Sequence, residues 1–279
     1  MKTIVAHFSP DIDSITSCWL VKRFMQGWEK ADIKFVAAGQ TLDGQKVDSN
    51  PDVIHVDTGF GRFDHHQTAD YTSASLLVFN HLKKEKLLKD RVIFALEKMV
   101  TEVNNYDHFG EVYFPDPASD HYEFMLHKII EGGLKSILRE DIIITESVFP
   151  FLDALLNIFI KKVYAEEELK KGFVFTSKYG KSIIVETKNE ETTKLALKNG
   201  YSFVAKRDPE KGSIRIKTLP EPKYDLKPLY DLILKFDKKE ATWYLHKSGN
   251  MLLNASSKNP NSVPSTLSVN KLIEIVKSI

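Results

Sequence analysis

Short apolar runs alternate with longer segments of helical spacing in the first part of the chain. Thr3–Phe8 and Val53–Asp57 are apolar runs that end at polar residues, which is typical of buried strands. Asp13–Trp28 repeats apolar residues at helical spacing, and Asp32–Ala38 has the character of another strand. Four later segments also have helical periodicity: Thr72–Lys84, Leu88–Asn105, His121–Lys135 and Glu146–Leu169. Strands that alternate with helices over short loops predict an α/β fold with a parallel sheet.

The pattern changes after Gly172, where short strand-like runs follow one another around polar turns. The predicted strands are Phe173–Phe175, Ser182–Glu186, Tyr201–Lys206 and Ser213–Lys217, and the predicted helices are Glu191–Asn199, Leu226–Lys235 and Lys271–Lys277. This pattern indicates a second, smaller domain of mixed α/β type. At about 150 residues per domain, 279 residues fit two domains. We expect the division within the long helix before Gly172, giving domains 1–167 and 168–279.

Composition and charge narrow the class of protein. With 42% hydrophobic and 28% charged residues the chain has the composition of a soluble globular protein. No apolar run of about 18 residues is evident, so we expect no membrane span. The single Cys18 excludes an internal disulfide, and the N-terminus lacks a signal-like apolar core, which together favour a cytoplasmic location.

The net charge of +1 conceals an asymmetry between the two predicted domains. Residues 168–279 contain 21 Lys and Arg against 12 Asp and Glu, a balance of +9, whereas residues 1–167 carry −8. An acidic first domain could hold cations while a basic second domain holds an anionic substrate. The alternative is that the two domains simply differ in composition.

Candidate metal ligands follow the predicted strands. His7, Asp11 and Asp13 come within one turn after the first strand, and Asp57 ends a later one, where open α/β sheets bind ligands. Asp64-His65-His66 follows in the next loop, and Asp107 follows an apolar helical segment. Taken singly, each group also has an ordinary explanation as a helix cap or a hydrogen-bonded loop.

In this order the four groups resemble the DHH phosphoesterase superfamily, which is named for the motif that stands here as Asp64-His65-His66. The His7-x-x-x-Asp11-x-Asp13 block is similar to the first motif of that family, Asp57 to the second and Asp107 to the fourth. The resemblance covers residues 1–110 well and the rest loosely. It implies a parallel-sheet DHH domain with flanking helices, a helical linker, and a C-terminal domain similar to the one called DHHA1.

The resemblance implies two divalent cations, usually Mn²⁺, with Mg²⁺ or Co²⁺ as alternatives. One ion would bind His7 and Asp11, the other would bind Asp13, His65 and Asp107, and Asp57 would bridge both. Four carboxylates balance the charge of two divalent ions, and oxygen and imidazole donors suit Mn²⁺. Such a pair activates water for displacement at phosphorus. His66 would then contact the substrate phosphoryl group, and Asp64 would orient the histidines.

The family's C-terminal domain often presents a Gly-Gly-Gly-His loop to the substrate, and this chain departs from that pattern. His246-Lys247-Ser248-Gly249 occupies the comparable position. Polar and basic side chains could still form a phosphate-binding group there, and Arg guanidinium groups bind phosphate in a bidentate manner. The candidates are Arg215, His246, Ser248, Asn254 and Lys258. The alternative is a polar hairpin and loop without a ligand.

Other polar and aromatic residues near the motifs have two interpretations each. Tyr71–Ser75 begins a helix, whose exposed amides could bind a phosphate or could simply be capped. Four aromatic residues after the third helix, Tyr106, Phe109, Tyr113 and Phe114, could stack on bases or pack in the core. His121 and His127 are expected to be surface or packing residues.

The sequence therefore predicts a two-metal phosphoesterase that hydrolyses nucleotides or short single-stranded oligonucleotides in the cleft between its two domains. A manganese-dependent inorganic pyrophosphatase is the closest alternative, because its first motif also begins with His, although no Ser-Arg-Lys stretch follows. A metal-dependent nucleotide-binding regulatory protein without turnover is the alternative of another class. Sequence-specific binding of duplex DNA is not expected, since no dense basic stripe accompanies a recognition helix. No membrane partner is expected, and a homodimer stays open.

Overall fold

The computed structural model describes residues 1–255 and 259–279, which form two compact units, Met1–Ile160 and Lys161–Ile279. Each unit has its own sheet. In the sequence, the boundary between the units falls after Ile160, a little before the predicted division at 167/168. Both boundaries lie inside one continuous helix, Asp141–Lys170. Because the helix runs on without a break, no loop composition marks the boundary in the sequence.

The sheet of the first unit has three parallel strands in the described chain. They are β1 (Thr3–His7), β2 (Asp32–Val36) and β3 (Val53–His55), in the order β2-β1-β3. The central strand β1 is buried along almost its whole length. Because the strands are parallel, the loops that follow β1 and β3 leave the same edge of the sheet. The predicted α/β class is confirmed.

Helices flank this sheet. They are α1 (Ile12–Phe24), α2 (Ala74–Lys84), α3 (Asp90–Asp107), α4 (Leu126–Lys128), α5 (Lys135–Leu138) and α6 (Asp141–Lys170). Short 3₁₀ turns occupy Leu42–Gly44, Gly110–Tyr113 and Asp120–Phe124. α1 is buried over most of its length and packs against α2 and α3. Asp11 caps its N-terminus, and the Asp11 side chain accepts a hydrogen bond from the Ser14 amide at 2.9 Å.

The prediction of a single helix over His121–Lys135 is wrong. A 3₁₀ turn ends at Phe124, Met125 is extended (φ −75°, ψ 146°), and α4 then leads into a π-helical turn over Ile129–Leu134. The π turn contains Gly132 and Gly133, whose low helix propensity weakens a regular α-helix at this point. The apolar residues of this segment recur at helical spacing, but spacing alone does not show where a helix is interrupted.

α6 requires a correction to the expectation of no membrane span. Its length and its mean hydropathy of 1.7 over 18 residues would allow it to cross a membrane, and 28% of that stretch is buried. Within the first unit, however, Asp153 on this helix accepts hydrogen bonds from Trp19 Nε1 at 3.3 Å and Arg23 Nε at 3.1 Å, both on α1. Its inner face is buried at Ile144, Val148, Leu152 and Leu156. Core helices of soluble domains satisfy the same criterion of length and hydropathy.

The second unit is a mixed sheet with helices against it. Its strands are β4 (Phe173–Ser177), β5 (Gly180–Glu186), β6 (Phe203–Arg207), β7 (Ile214–Thr218), β8 (Trp243–Leu245) and β9 (Met251–Asn254), in the order β4-β5-β6-β7-β9-β8. Its helices are α7 (Glu190–Lys198), α8 (Lys227–Phe236) and α9 (Val269–Lys277), with a 3₁₀ turn at Pro222–Tyr224. Buried residues from the sheet and from α8 and α9 form one core, which includes Phe203, Ile216, Ile233, Leu252 and Leu272.

Strands β8 and β9 are not among the strands predicted from the sequence, although a polar hairpin is the alternative interpretation of this stretch. They pair as an antiparallel hairpin, and the His246–Gly249 segment forms its turn. Strands of three and four residues are too short to show a clear alternation of apolar and polar positions. The predicted mixed α/β character of this part of the chain is confirmed.

Candidate metal centre

The motif residues converge at the carboxyl edge of the three-stranded sheet. His7 is the last residue of β1, Asp11 caps α1, and Asp57 follows β3. The backbone of Asp57 adopts the left-handed conformation (φ 56°), and its amide donates to the Phe63 carbonyl at 2.9 Å. Such a conformation costs on the order of 1 kcal/mol for a non-glycine residue and persists where the surroundings hold it. The turn directs the carboxylate of Asp57 to a defined position.

The carboxylate of Asp57 lies between two imidazoles. Its Oδ2 atom is 3.1 Å from His7 Nε2, and its Oδ1 atom is 3.3 Å from His65 Nε2. His7 Nε2 also lies 3.8 Å from Asp11 Oδ2, and His65 Nε2 lies 3.6 Å from Asp107 Oδ2. One buried carboxylate therefore faces a donor group on either side.

The ligand-type atoms form three overlapping groups within the described residues. In each group the atoms lie within 4.8 Å of one another, and the groups are His7 with Asp11 and Asp57, Asp57 with His65 and His66, and Asp13 with His65 and Asp107. All six residues that the sequence predicted as ligands are members. His66 is an additional member, so the geometry alone offers both imidazoles of the doublet to a cation.

Asp13 is held by the start of α2. It is fully buried, and its two carboxylate oxygens accept the amides of Ala74 at 2.7 Å and Ser75 at 2.9 Å. A helix N-terminus stabilises a carboxylate in this way. The interpretation of these amides as a phosphate site is therefore wrong, because Asp13 already occupies them. Ser73 serves as the cap of α2, as the alternative interpretation had it.

The carboxylates of the site crowd one another. Burial raises the pKa of Asp13 well above its ordinary value, and the charges of Asp57 and Asp107 add to the effect. Burial and the charge of Asp57 likewise raise the pKa of Asp11, and burial raises that of Asp107 to about 6. Without cations, this concentration of negative charge opposes ionisation.

The two imidazoles carry the compensating charge when no metal is bound. Burial is the largest single effect on His7 and works to lower its pKa, but the hydrogen bond to Asp57, the Asp57 charge, the Phe8 carbonyl and the Asp11 charge together raise the pKa to about 9. Interaction with Asp57 also raises the pKa of His65 to about 9. Burial works to raise the pKa of Asp57, but His65 and His7 hold it below its ordinary value. The imidazolium groups thus supply positive charge that bound divalent cations would otherwise supply.

The donor set fits a divalent metal. Asp57 Oδ1 and His65 Nε2 are buried, and neither has a hydrogen-bond partner of good geometry within the described part of the chain. Buried polar atoms without a partner are uncommon in proteins. His7 donates from Nδ1 to the Phe8 carbonyl at 2.8 Å, which directs Nε2 toward Asp57 and Asp11. Carboxylates with imidazoles suit Mn²⁺ and similar ions better than metals that prefer thiolates.

Asp64 acts on His66 rather than on His65. His66 donates from Nδ1 to Asp64 Oδ1 at 2.7 Å, and Asp64 is itself buried and accepts the Phe60 amide at 2.7 Å. The His66 side chain is 55% exposed, whereas that of His65 is 13% exposed. The doublet thus places one imidazole inside the cluster and one at its open side.

An open cavity of about 350 Å³ lies over these residues. Its lining consists of His7, Asp11, Ala38, Gly39, Asp57, Phe60, His66 and Asp107. Phe60 was missed by sequence reasoning, although an aromatic residue between Gly59 and Gly61 could have drawn attention to it. Lys135 was also missed: its Nζ donates to the Ser9 carbonyl at 3.0 Å, and its charge favours ionised Asp11. Because Lys135 is distant in sequence, no local motif indicated it.

The predicted substrate residues of the second unit have partners of their own. Arg215 forms an ion pair with Glu190 at 2.8 Å, and His246 Nδ1 lies 2.9 Å from Ser248 Oγ in an exposed turn. Asn254 requires a correction: it is fully buried, and its amide group bonds to Thr242, Val263 and Ser265. It stabilises its own loop rather than facing a ligand. Lys258 lies outside the described residues.

Asp107→Asn should weaken the binding of one cation more than the other, because Asp107 belongs only to the group with Asp13 and His65. We expect the affinity for that ion to fall by about 10- to 100-fold while the other site still fills. Metal content measured against free Mn²⁺ checks this, with the exposed Glu97→Gln on the same helix as control. Equal weakening of both ions would contradict the division into two sites.

Comparisons with known proteins find matches among solved structures. No family model and no curated protein matches the chain. A solved structure of a pGpG-specific phosphodiesterase, PggH, from Vibrio cholerae is 14% identical over 92% of this chain and 93% of that chain, with a TM-score of 0.36.

Two further solved structures match over most of this chain. RecJ from Thermus thermophilus, in complex with Mg²⁺, is 14% identical with a TM-score of 0.28, and the match covers 94% of this chain but 51% of RecJ. The DHH domain of a protein described as belonging to a family of ribosomal proteins is 10% identical over 99% of this chain and 86% of its own length, with a TM-score of 0.30.

Proposed function

We propose that this protein is a two-metal phosphoesterase that hydrolyses phosphoester or phosphodiester bonds of nucleotides or short single-stranded oligonucleotides. The observation that carries the proposal is the position of Asp57. One buried carboxylate faces His7 with one oxygen and His65 with the other. His7 shares its group with Asp11 as well as Asp57, and His65 belongs to a further group with Asp13 and Asp107. This is the arrangement expected of a ligand shared by two cations.

The proposed ligands are the six residues predicted from the sequence: His7, Asp11, Asp13, Asp57, His65 and Asp107. Two divalent cations in this position, probed first with Mn²⁺, would supply an activated water and charge stabilisation for an in-line displacement at phosphorus. The protein contributes the fixed positions of the donors. Asp13 is oriented by two backbone amides, His7 by the Phe8 carbonyl, and Asp57 by its turn.

His66 is the proposed catalytic residue on the substrate side. It lines the open cavity, and its Nδ1 hydrogen bond to Asp64 fixes the ring so that Nε2 is the remaining polar atom. When the ring is protonated, Nε2–H can donate to a phosphoryl oxygen as negative charge develops there. Asp64 is a positioning residue, because it acts through His66 and is itself buried.

The volume of the open cavity limits the size of the substrate that can bind beside the proposed ligands. About 350 Å³ is enough for a phosphoryl group with its sugar, and the half-exposed ring of Phe60 in the lining offers an apolar face for a sugar or a base. An inorganic pyrophosphatase would need no such face. His7, however, is shared with the first motif of that alternative, so pyrophosphate belongs in the same test.

The experiment uses the full chain, loaded with Mn²⁺, Mg²⁺ or Co²⁺ in separate samples. The substrates are bis(p-nitrophenyl) phosphate, 5′-phosphorylated dinucleotides, a short single-stranded oligonucleotide, a duplex and pyrophosphate. We expect metal-dependent release of nucleotides from the dinucleotides and the short oligomer. Hydrolysis of pyrophosphate alone would favour the pyrophosphatase alternative. Tight nucleotide binding without turnover under all metals would favour the regulatory one.

For the second unit we propose that His246 contacts the substrate phosphate or ribose. The exposed imidazole lies in the turn between β8 and β9, in a unit with a balance of +9 over residues 168–279. His246→Ala should raise KM by about tenfold with little change in kcat, as expected for one lost hydrogen bond to a charged group. Steady-state kinetics on a dinucleotide checks this. An unchanged KM would indicate that this charged surface faces only solvent.

A further inference from the structure

A second, smaller cavity of about 160 Å³ begins two residues after the proposed ligand Asp107. Its lining consists of Phe109, Glu111, Val112, Pro117, Tyr122, Glu123, Met125, His127 and Lys128. Pockets that enclose a whole small molecule usually measure about 300 Å³ or more. This cavity therefore has room for one ring system of a larger ligand.

The cavity contains buried polar atoms without a partner. His127 is 3% exposed, and neither of its ring nitrogens has a hydrogen bond within the described chain. Glu111 Oε2 is buried and equally without a partner there. His127 Nε2 lies 3.7 Å from Glu111 Oε1, which is too long for a hydrogen bond. An unpaired buried carboxylate oxygen such as Glu111 Oε2 is costly unless a ligand donates to it.

The polar side chains of Glu111, His127 and Lys128 lie close together in the lining and form its polar edge. Glu111 presents acceptors only, and Lys128 Nζ lies 3.2 Å from Glu111 Oε1, so a cationic donor stands beside the carboxylate. Burial lowers the pKa of His127, so its imidazole is neutral and offers one donor and one acceptor. The lining carries the carboxylates of Glu111 and Glu123 against the single ammonium of Lys128, so its charge does not favour an anion. The edge instead matches a neutral group that carries N–H donors next to a carbonyl.

The walls of the cavity are flat and apolar. Phe109 is 66% exposed and Tyr122 is partly buried, and both rings contribute to the lining. Tyr106, which is not itself a lining residue, stacks on His127 with ring centroids 4.1 Å apart and an interplanar angle of 21°. Aromatic faces combined with a polar edge are typical of sites for planar heterocycles. The alternative interpretation of this aromatic group as a stacking wall thus gains support at Phe109.

We propose that this cavity binds a guanine base, with its N1–H and N2–H groups donating to the Glu111 carboxylate and its O6 accepting from Lys128. This inference deepens the proposed function and rests on it, because the base would belong to the nucleotide whose phosphate reaches the metal centre. Adenine fits less well, since its N1 acceptor would face the carboxylate. Cytosine has the same defect at N3, and uracil offers the carboxylate one N–H only.

The first test is equilibrium binding, which needs no turnover. Full-length protein with Mn²⁺ is titrated calorimetrically with the monophosphates of guanosine, inosine, adenosine, cytidine and uridine. We expect guanosine monophosphate to bind at least about tenfold more tightly than the adenosine, cytidine and uridine compounds, the effect of hydrogen bonds to a charged group. Inosine monophosphate lacks the N2 amino group and should bind about tenfold more weakly than guanosine monophosphate.

The second test changes the edge itself. In Glu111→Gln the side-chain amide can accept from the N6 amine and donate to N1 of adenine, so the preference should shift from guanine toward adenine. A merely structural role for Glu111 would weaken all five ligands alike. The matched control is Glu240→Gln, which removes the same charge from an exposed position of the second unit and should leave the order of affinities unchanged.

The outcomes separate this inference from the proposed function. Equal binding of the five monophosphates, or an unchanged order of affinities in Glu111→Gln, would overturn the guanine site. Dinucleotide hydrolysis without base preference would overturn it as well, while leaving the phosphoesterase proposal intact. Guanine-selective binding with no hydrolysis under any metal would support the site and count against the phosphoesterase.

Discussion

Asp57→Asn should remove both cations from the protein and reduce turnover by roughly 10³-fold or more, at or above the loss that follows removal of a single transition-state donor. The reason is the shared position of this carboxylate between His7 and His65. The amide of Asn can offer one neutral oxygen but cannot bridge two cations with two charged ones. Metal content after dialysis, measured by mass spectrometry, and turnover of a dinucleotide are the readouts.

The variant should nevertheless fold. Asn tolerates the left-handed conformation that Asp57 adopts. In a chelator the variant should unfold cooperatively but at a lower temperature than the wild type, because the ionised Asp57 carboxylate, whose pKa His65 and His7 hold low despite its burial, stabilises both imidazoles and a neutral amide does not. Asp43→Asn is the matched control, because Asp43 also has a positive φ (52°) but is exposed. Full metal occupancy in Asp57→Asn would refute the bridging role.

His66→Ala should keep its metals and lose turnover by about 10²-fold or more, the cost of removing one donor from the transition state. His66 is the exposed member of the doublet, and its Nδ1 is held by Asp64 rather than by the proposed ligands. The exposed His121→Ala serves as control. Metal loss in His66→Ala as large as that in His65→Ala would instead assign both imidazoles to the cations. The ligand-type atoms of Asp57, His65 and His66 lie within 4.8 Å of one another, which is close enough for that arrangement.

The candidate centre could be predicted from the sequence because its ligands follow strand ends in a recognisable order. A polar residue directly after β1 and another after β3 must reach the same edge of a parallel sheet. What the spacing could not supply is the support of these ligands by distant backbone. The amides of Ala74 and Ser75 hold Asp13, and nothing near Asp13 in the sequence indicates that α2 starts beside it.

Two other predictions from the sequence failed for different physical reasons. The segment 121–135 has helical spacing, yet Met125 is extended and a glycine pair follows, so periodicity alone predicted a helix that tertiary packing divides. Asn254 has the polarity of a ligand-binding residue, and only its complete burial shows that it bonds to neighbouring backbone. The residue type shows which hydrogen bonds a side chain can form, whereas its burial decides whether the side chain can contact a substrate.

The support of Asp13 by the first amides of α2 has a consequence for related chains. This carboxylate satisfies two buried backbone donors, so its loss would disturb the start of a helix even in a protein that never bound metal. A related chain without metal binding would therefore still need Asp13 for stability, whereas Asp107, which accepts no backbone amide among the described residues, would be free to change. Among such related chains, an aspartate at the position of Asp107, the last residue of α3, is therefore a better marker of a functional metal site than an aspartate at the position of Asp13.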